Sequence, residues 1–343
     1  MKLPMRILLG VLCAALILSM PYFVSSPQML DEVRAGYSET DGEEEDLGLL
    51  RRLFAGARAE DDLIIEDVEE GQFDRNSLLE LPLDFTVPPA PNPANFTENG
   101  YEDETIRVKL ETMEEDGVVW HVAWVDIASP TQLRTAIAGK KVTSKKDALP
   151  SKMAKVNNAV IAINSDYYTK DPDKTAFEYR MTQKIRSNNN SKKDTLIIDK
   201  KGNFHLDRFI KGQNEASNYA KEHKDDIVNV FTFGPALVKD GRLQTIDENY
   251  GYNPNGREPR TAIGQVGELS YVLVIAEGRG ESAGVNFTEL AQKMFELGCQ
   301  QAFNLDGGNS SIMIFNGQSY QGQPGGSERA QSDIIYFATA VPE

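Results

Sequence analysis

The sequence predicts an α+β protein in which a mixed, strand-rich sheet and a few packing helices form a single domain over residues 105–343. Three observations support this class. Segments dominated by β-branched and aromatic residues recur from Val118–Ile127 to Asp333–Ala338. Short turn sequences join several of these segments as hairpins. One segment has helical periodicity and lies between two predicted strands.

The N-terminal segment, residues 1–24, is predicted to be a signal anchor. Lys2 and Arg6 precede an uncharged stretch of 18 residues from Ile7 to Val24. That length nearly spans a hydrocarbon core of about 30 Å, whereas the apolar part of a cleaved signal peptide has about 7 to 15 residues. The positive-inside rule sends the rest of the chain out of the cytoplasm. We expect a single-pass membrane protein, or a secreted one if the segment is a cleaved signal peptide.

Residues 25–104 are predicted to be an acidic, proline-containing stalk or linker. Residues 31–104 carry 22 Asp and Glu against 5 Arg and no Lys, while the whole chain has a net charge of −16. Such a segment resists collapse and is extended by self-repulsion. The alternative is a solvated acidic subdomain with a short amphipathic helix near Leu47–Phe54. No nucleic-acid partner is expected, because the chain lacks a basic face.

The strands of the C-terminal domain are predicted in order from the apolar runs. The first is Val118–Ile127. The others are Ala159–Ile163, Thr195–Asp199, Asn203–Leu206, Ala236–Val238, Thr261–Gly264, Ser270–Ala276, Gln301–Leu305 and Asp333–Ala338. The turn sequences at 200–202, 240–241 and 266–268 indicate hairpins.

One helix is predicted between the strand ending at Ala276 and the strand beginning at Gln301. Asn286 and Glu289 form a capping pair, three apolar side chains follow at helical spacing, and Gly298 ends the helix. A strand, a helix and a strand in that order predict a crossover with parallel pairing.

A run of short polar residues follows the strand that ends at residue 305. Asp306 precedes Gly307 and Gly308, so its carboxylate should project into a loop that a ligand can approach closely. The neighbouring groups able to orient hydroxyls and phosphate oxygens are Asn304, Asn309, Ser310 and Ser311. The alternative is an Asp-Gly-Gly turn between two strands, with Ile312–Phe315 as the return strand.

Three further segments carry side chains that could take part in catalysis or substrate binding. Asp166 offers a second carboxylate, beside Asn164 and two tyrosines that provide a stacking surface for a sugar. Arg260 opens a strand and can form a two-pronged contact with a phosphate. Glu277 and Arg279 lie in a Gly-rich connection whose glycines miss the spacing of a dinucleotide loop. The alternatives are a polar turn for the first segment and a surface ion pair for the arginine.

Missing motifs narrow the chemistry. The three histidines are isolated, and the sequence has no HExxH, CxxC or GxxxxGK pattern. Ser310 lacks the second glycine of a GxSxG nucleophile elbow. We therefore predict no cofactor and no metal site. Carboxylate, arginine, amide and hydroxyl groups remain, which is the inventory of glycosyl transfer or phosphodiester cleavage.

Four motifs in sequence order resemble those of the phosphodiester glycosidase domain family, which includes bacterial exported proteins. They are Ala162–Tyr168, Phe233–Gly241, Pro259–Gly264 and Asn304–Ser311. The resemblance covers roughly residues 105–340. Ser165 departs from it, because the family often has glycine after the asparagine, and this leaves the substrate's identity open.

The resemblance implies hydrolysis between the anomeric carbon of a sugar and a phosphodiester oxygen, which releases free sugar and leaves a phosphomonoester. Phosphate is a weakly basic leaving group, so the site chiefly needs a carboxylate and a cation. Asp306 would be that carboxylate and Asp166 or Glu277 the second one. Arg260, with Arg279 in reserve, would bind the phosphate. The implied sugar-binding residues are Asn164, Asn304, Gly307, Gly308, Asn309 and Ser310.

Two other functions remain open from the sequence. One is a non-catalytic binding module for an anionic wall polymer or exopolysaccharide. The other is a glycoside hydrolase that acts on ordinary glycosides. Arg260 beside two carboxylates favours the phosphodiester, because an ordinary glycosidase needs no phosphate clamp.

Overall fold

The computed structural model describes residues 86–139, 141, 146–169, 177–187, 192–209, 222–321 and 327–341. The predicted signal anchor and the stalk up to residue 85 lie outside the described residues. Within the ranges just given, no helix is both long enough and apolar enough to cross a membrane.

Strands dominate the described part of the chain. In chain order they are β1 (Phe96–Thr97), β2 (Gly100–Glu102), β3 (Ile106–Glu115), β4 (Val118–Ile127), β5 (Leu133–Ile137), β6 (Ile161–Asn164), β7 (Phe177–Arg180), β8 (Gln183–Ser187), β9 (Asp194–Asp199), β10 (Phe204–Asp207), β11 (Ile227–Phe233), β12 (Ala236–Lys239), β13 (Arg242–Leu243), β14 (Arg260–Gly267), β15 (Ser270–Ala276), β16 (Gln301–Asn304), β17 (Met313–Phe315), β18 (Gln318–Ser319) and β19 (Asp333–Phe337). The helices among the described residues are α1 (Pro150–Val156) and α2 (Phe287–Glu296). The α+β, strand-rich class is confirmed.

The strands form three sheets. Sheet A has the order β1-β2-β3-β4-β15-β14-β16-β12-β13, sheet B has β18-β17-β6-β19-β5, and sheet C has β10-β9-β11-β7-β8. The three predicted hairpins are confirmed as the pairs β9–β10, β12–β13 and β14–β15. The predicted return strand is β17, but it pairs with β6 and β18 of sheet B rather than with β16.

The predicted helix is confirmed as α2. It begins at a capping box, in which the Asn286 side chain accepts a hydrogen bond from the Glu289 amide and the Glu289 side chain accepts one from the Asn286 amide. Gly298 lies just beyond its end in the left-handed region, with φ of 80°.

The parallel pairing predicted for the crossover is wrong. β15 and β16 run in the same direction, but β14 lies between them and pairs antiparallel with both. The reason is local: the short turn at 268–269 folds β14 directly against β15, and β14 thereby takes the edge that β16 would have used. Every strand pair among the described residues is antiparallel.

Sheet A begins inside the segment predicted as linker. β1 and β2 pair with each other, and β2 pairs with β3. Tyr101 on β2 is 2% exposed and belongs to the central core, where its hydroxyl donates to Asp103 Oδ2 over 2.8 Å. The sheet therefore starts at Phe96, ahead of residue 105.

The central core contains side chains from all three sheets. A second cluster packs α2 against the opposite face of sheet A, and a third packs α1 against sheet B. This layering brings the C-terminal ends of β6 and β16 and the N-terminal end of β14 to one edge, where hydrogen bonds join them.

Candidate active site

The loop after β16 bridges the ends of sheets A and B. The Asp306 amide donates to the Ser165 carbonyl, at the end of β6, over 3.2 Å. The Gly308 amide donates to the Pro259 carbonyl, just before β14, over 2.8 Å. The loop is thus held from both sides, and Asp306 lies where the two sheets meet.

Asn164 fixes this loop and does not face a ligand. Its side chain is completely buried, and Oδ1 accepts from Thr261 Oγ1 at 2.8 Å and from the Ile312 amide at 3.1 Å. Its Nδ2 donates to the Asp306 carbonyl at 2.6 Å. Asn304 is 1% exposed, and its Nδ2 donates to the Gly234 carbonyl. The predicted contact of these two asparagines with a sugar is therefore wrong, because both side chains are buried and the Nδ2 group of each donates to a backbone carbonyl.

The two glycines are required by close contacts within the protein. A Cβ on Gly307 would lie 2.8 Å from the Pro259 carbonyl oxygen. Gly308 has φ of 62°, and a Cβ there would lie 3.2 Å from Arg279 Nη2. Their smallness lets the loop pack between β14 and the guanidinium of Arg279.

The Asp306 carboxylate is half-buried at the loop's base, and its Oδ1 accepts from the Gly307 amide at 3.0 Å. Burial raises the pKa of Asp306 above its usual range, whereas the Ser310 hydroxyl, the charge of Arg329 and the Gly307 amide act in the opposite direction. Ser310 is itself fully buried beneath the loop.

Two exposed arginines flank the loop. Arg329 Nη1 donates to Ser310 Oγ at 2.9 Å, and its guanidinium lies 5.0 Å from the centre of the Tyr167 ring. On the other side, Arg279 Nη1 donates to Asn309 Oδ1 at 2.5 Å and Nη2 donates to Glu258 at 2.6 Å. Arg279, the second phosphate-binding arginine suggested by the sequence, thus contacts the loop. Arg329 was not identified, because it lies in a polar stretch without periodicity.

Arg260 is engaged by the protein, and this corrects the phosphate clamp predicted for it. The side chain is buried, and Nε donates to the Val285 carbonyl. Nη1 donates to the Tyr252 carbonyl, and Nη2 donates to the carbonyls of Asn253 and Gly256. The guanidinium also packs 4.0 Å from the centre of the Phe287 ring. Burial lowers its pKa to about 10.

We expect Arg260→Leu to act on stability. Four backbone carbonyls lose their donor, so unfolding should become easier by about 2–4 kcal/mol. Thermal melting measures this, with Arg257→Leu as the control, because Arg257 is 43% exposed and its ion pair with Glu289 should contribute under about 1 kcal/mol. A normal melting temperature combined with lost turnover would restore the phosphate clamp.

Asp166 belongs to a buried ionic cluster. Arg180 is 2% exposed, donates from Nε to Asp333 Oδ2 at 2.7 Å, and binds Asp166 through Nη2. Glu178 lies beside them, and burial and the charge of Asp166 raise its pKa well above the usual range. Asp166 is thus not presented to a substrate. The part of the chain that the structure describes holds no group of three His, Cys, Asp or Glu placed for a metal ion.

The sugar-stacking surface predicted at Tyr167 and Tyr168 is also wrong. Tyr167 is 7% exposed and Tyr168 is 3% exposed. The Tyr167 hydroxyl donates to the Ala330 carbonyl at 3.1 Å. Their rings pack under Arg329 and near Arg180, so they support the site from below.

Glu277 is the other predicted carboxylate, and it is 28% exposed at the end of β15. Its Oε1 lies 2.7 Å from Nε2 of His121, a buried residue of β4. The other ring nitrogen of His121 lies 3.0 Å from Thr112 Oγ1. Sequence reasoning gave His121 no role, because 156 residues separate it from Glu277.

Comparison with known sequences points to one family. The phosphodiester glycosidase family model matches residues 157–338, just over half of the chain. The SPbeta prophage-derived uncharacterized protein YomE of Bacillus subtilis is 34% identical over 108 residues, 31% of this chain and 17% of that protein. Human N-acetylglucosamine-1-phosphodiester alpha-N-acetylglucosaminidase is 40% identical over 58 residues, 17% of this chain and 11% of that protein. The chain thus spans less than a fifth of either relative.

Two solved structures share the fold. The catalytic domain of zebrafish N-acetylglucosamine-1-phosphodiester alpha-N-acetylglucosaminidase superposes with a TM-score of 0.55 at 16% identity, and the match covers 73% of this chain and 87% of that one. A hypothetical protein from Synechocystis superposes with a TM-score of 0.50 at 17% identity, over 68% of this chain and 62% of that one.

Proposed function

This chain belongs to the phosphodiester glycosidase family, and on that premise we propose that it cleaves the glycosidic bond of a sugar-1-phosphodiester in a cell-surface or extracellular glycan. The products are a free sugar and a phosphomonoester. The human relative is an N-acetylglucosamine-1-phosphodiester alpha-N-acetylglucosaminidase, a name that describes a bond of this class, and this supports the proposal.

The observation that carries the proposal is a half-buried carboxylate in a loop that two exposed arginines contact. Asp306 meets the positive charge that develops at the anomeric carbon, as nucleophile or as base toward water. Arg279 and Arg329, which contact the loop at Asn309 and Ser310, neutralise the phosphate. Both arginines have exposed side chains, so a phosphate can reach them from solvent.

Glu277 is the second carboxylate of this proposal. The last residues of β15 and β16, Ala276 and Asn304, both pair with the first residues of β14, Arg260 and Ala262. Glu277 and Asp306 therefore follow strands that end at the same edge of sheet A. Two strand spacings, about 10 Å, separate those strands. His121 Nε2 lies 2.7 Å from Glu277 Oε1 and holds the carboxylate in place. Asp166 is excluded from this role by its ion pair with Arg180.

We also propose that residues 1–24 hold the protein in the membrane and that the catalytic domain acts outside the cytoplasm. The motivation is the uncharged run after Lys2 and Arg6. Cell fractionation after a high-salt wash tests this proposal. Recovery of a soluble form that begins near residues 25–30 would show cleavage instead of anchoring.

Arg279→Gln and Arg329→Gln should each lower kcat/KM on a sugar-1-phosphodiester by about tenfold to a hundredfold, because each removes one cation from the phosphate. The comparison substrate is the p-nitrophenyl glycoside of the same sugar, whose leaving group is weakly basic but carries no phosphate. Activity on that glycoside should change by less than about threefold.

The control for both arginines is Arg107→Gln, which removes a partly exposed cation paired with Glu102 on sheet A. Equal losses on both substrates would mean that the arginines do not act through the phosphate. Unchanged activity on the phosphodiester would place the phosphate elsewhere.

A further inference from the structure

An exposed aromatic stack lies next to the site and has no role in the chemistry above. The rings of Phe233 and Tyr252 are parallel within 8°, and their centres are 4.1 Å apart. The Lys193 ammonium donates a hydrogen bond to the Tyr252 hydroxyl. We call these three residues the Tyr252 stack. Tyr252 is 37% exposed, whereas Phe233 is 5% exposed.

The Tyr252 side chain is 37% exposed although Phe233 stacks on one face of its ring. Phe233 covers the inner face. The Lys193 ammonium lies 4.5 Å from the centre of the Tyr252 ring and 5.7 Å from that of Phe233. A cation above the outer face would lie much farther from Phe233, so Lys193 lies at the edge of the stack. The stack therefore presents one flat aromatic face with a positive charge at its rim.

The loop that carries Tyr252 is held in an unfavourable backbone conformation. Tyr252 and Asn253 are both in the left-handed region, with φ of 69° and 57°. Two consecutive non-glycine residues in that region are unfavourable unless other contacts hold them. The buried Arg260 offsets this cost by donating to the carbonyls of Tyr252, Asn253 and Gly256. A buried arginine thus fixes an exposed tyrosine.

The Tyr252 stack is joined to the Asp306 loop from two directions. Phe233 precedes Gly234, whose carbonyl accepts from Asn304, two residues before Asp306. Gly307, one residue after Asp306, packs against Arg260, since a Cβ there would lie 3.6 Å from Arg260 Cδ. The other end of the Arg260 side chain holds Tyr252. The Arg260 side chain therefore lies between the Tyr252 stack and the Asp306 loop.

We propose that the Tyr252 stack is the subsite for the sugar on the phosphate side of the scissile bond. This inference rests on the proposed function. The apolar face of a sugar ring stacks on Tyr252, and Lys193 attracts an anionic group on that sugar or on the next phosphate of a phosphoglycan. Arg260 thereby serves substrate recognition indirectly, by positioning the loop.

The test compares two substrates in the full-length protein. Both carry the same cleaved sugar-1-phosphate; one is its methyl phosphodiester and the other its phosphodiester to a second hexose. Tyr252→Ala should lower kcat/KM about tenfold on the second substrate and less than about twofold on the first. Tyr252→Trp should keep the preference because it keeps a flat face. Phe295→Ala is the control, because Phe295 is a comparably exposed aromatic (39%) on α2.

A binding measurement separates this inference from the proposed function. Glucose 6-phosphate, a sugar ring with an anionic group, is titrated into the wild type, Tyr252→Ala and Phe295→Ala, and saturation-transfer NMR detects binding. Binding lost only in Tyr252→Ala, in a protein that hydrolyses no phosphodiester, would support the subsite and reject the activity. Active enzyme with equal preference for the two substrates and equal binding in all three proteins would overturn the subsite.

Discussion

Asp306→Asn should abolish turnover while leaving the fold intact. The amide keeps the shape and most hydrogen bonds of the carboxylate, but it removes the charge that meets the developing cation. We expect kcat to fall by at least about a hundredfold. Steady-state kinetics measures this on a sugar-1-phosphodiester, and Asp225→Asn, an exposed position, is the matched control. Glu277→Gln should cost less, because it removes a proton-transfer group.

The same variant has a signature in stability and in pH dependence. Burial raises the pKa of Asp306 above its unfolded value, so the ionised carboxylate destabilises the fold as the pH rises through the folded pKa. Asp306→Asn should therefore melt at the same temperature as wild type or slightly higher at pH 7. Because catalysis needs the ionised form, wild-type activity should fall with decreasing pH at values above the ordinary aspartate pKa of about 4. Residual kcat within about threefold of wild type would return Asp306 to the status of a turn residue.

Arg180→Leu should cause the largest loss of stability. The substitution leaves Asp166 and Asp333 buried without the guanidinium that binds both. Stranding buried charges in this way costs about 3–5 kcal/mol, which corresponds to a fall of about 10 °C or more in Tm. Urea unfolding and thermal melting measure the effect. Arg107→Leu, which breaks a partly exposed pair with Glu102, should change stability by less than about 1 kcal/mol.

A pH series distinguishes stranded charge from a simple packing defect in Arg180→Leu. The carboxylates left without a partner can take up protons as the pH falls, so the gap between variant and wild type should narrow from pH 7 to pH 5. A gap that is constant with pH would mean that the lost contacts with Phe231 and Tyr168, rather than the charges, account for the loss.

Local signals in the sequence predicted several strands, three hairpins and α2, but not β3, β5 or β11. The turns at 200–202 and 240–241 each join adjacent strands, and the capping pair Asn286 and Glu289 begins α2. The pairing partner of β16 was not predictable from such signals. It depends on which strand lies beside β15. The turn at 268–269, rather than the helix between β15 and β16, places β14 there.

The motifs located the site, but they did not reveal the roles of several of its side chains. Arg260 and Asn164 lie in the predicted motifs, yet their donors bind backbone that comes from other parts of the chain. Motif position carries no information about which partners a buried donor has. Tyr252 lies outside the motifs and could not be identified from the sequence, because an exposed tyrosine in a polar loop is common in any sequence.

Product analysis tests directly whether the protein hydrolyses the glycosidic bond of a sugar-1-phosphodiester. The full-length protein is incubated with a sugar-1-phosphodiester labelled in the sugar, beside the simple alkyl glycoside of the same sugar. We expect free sugar and a phosphomonoester in equal amounts from the first substrate, little reaction with the second, and no detectable reaction of either with Asp306→Asn. Release of sugar 1-phosphate would show that the bond between phosphorus and the second alcohol is cleaved instead of the glycosidic bond. Wild-type protein that binds the phosphodiester without hydrolysing it would contradict the proposed glycosidase activity.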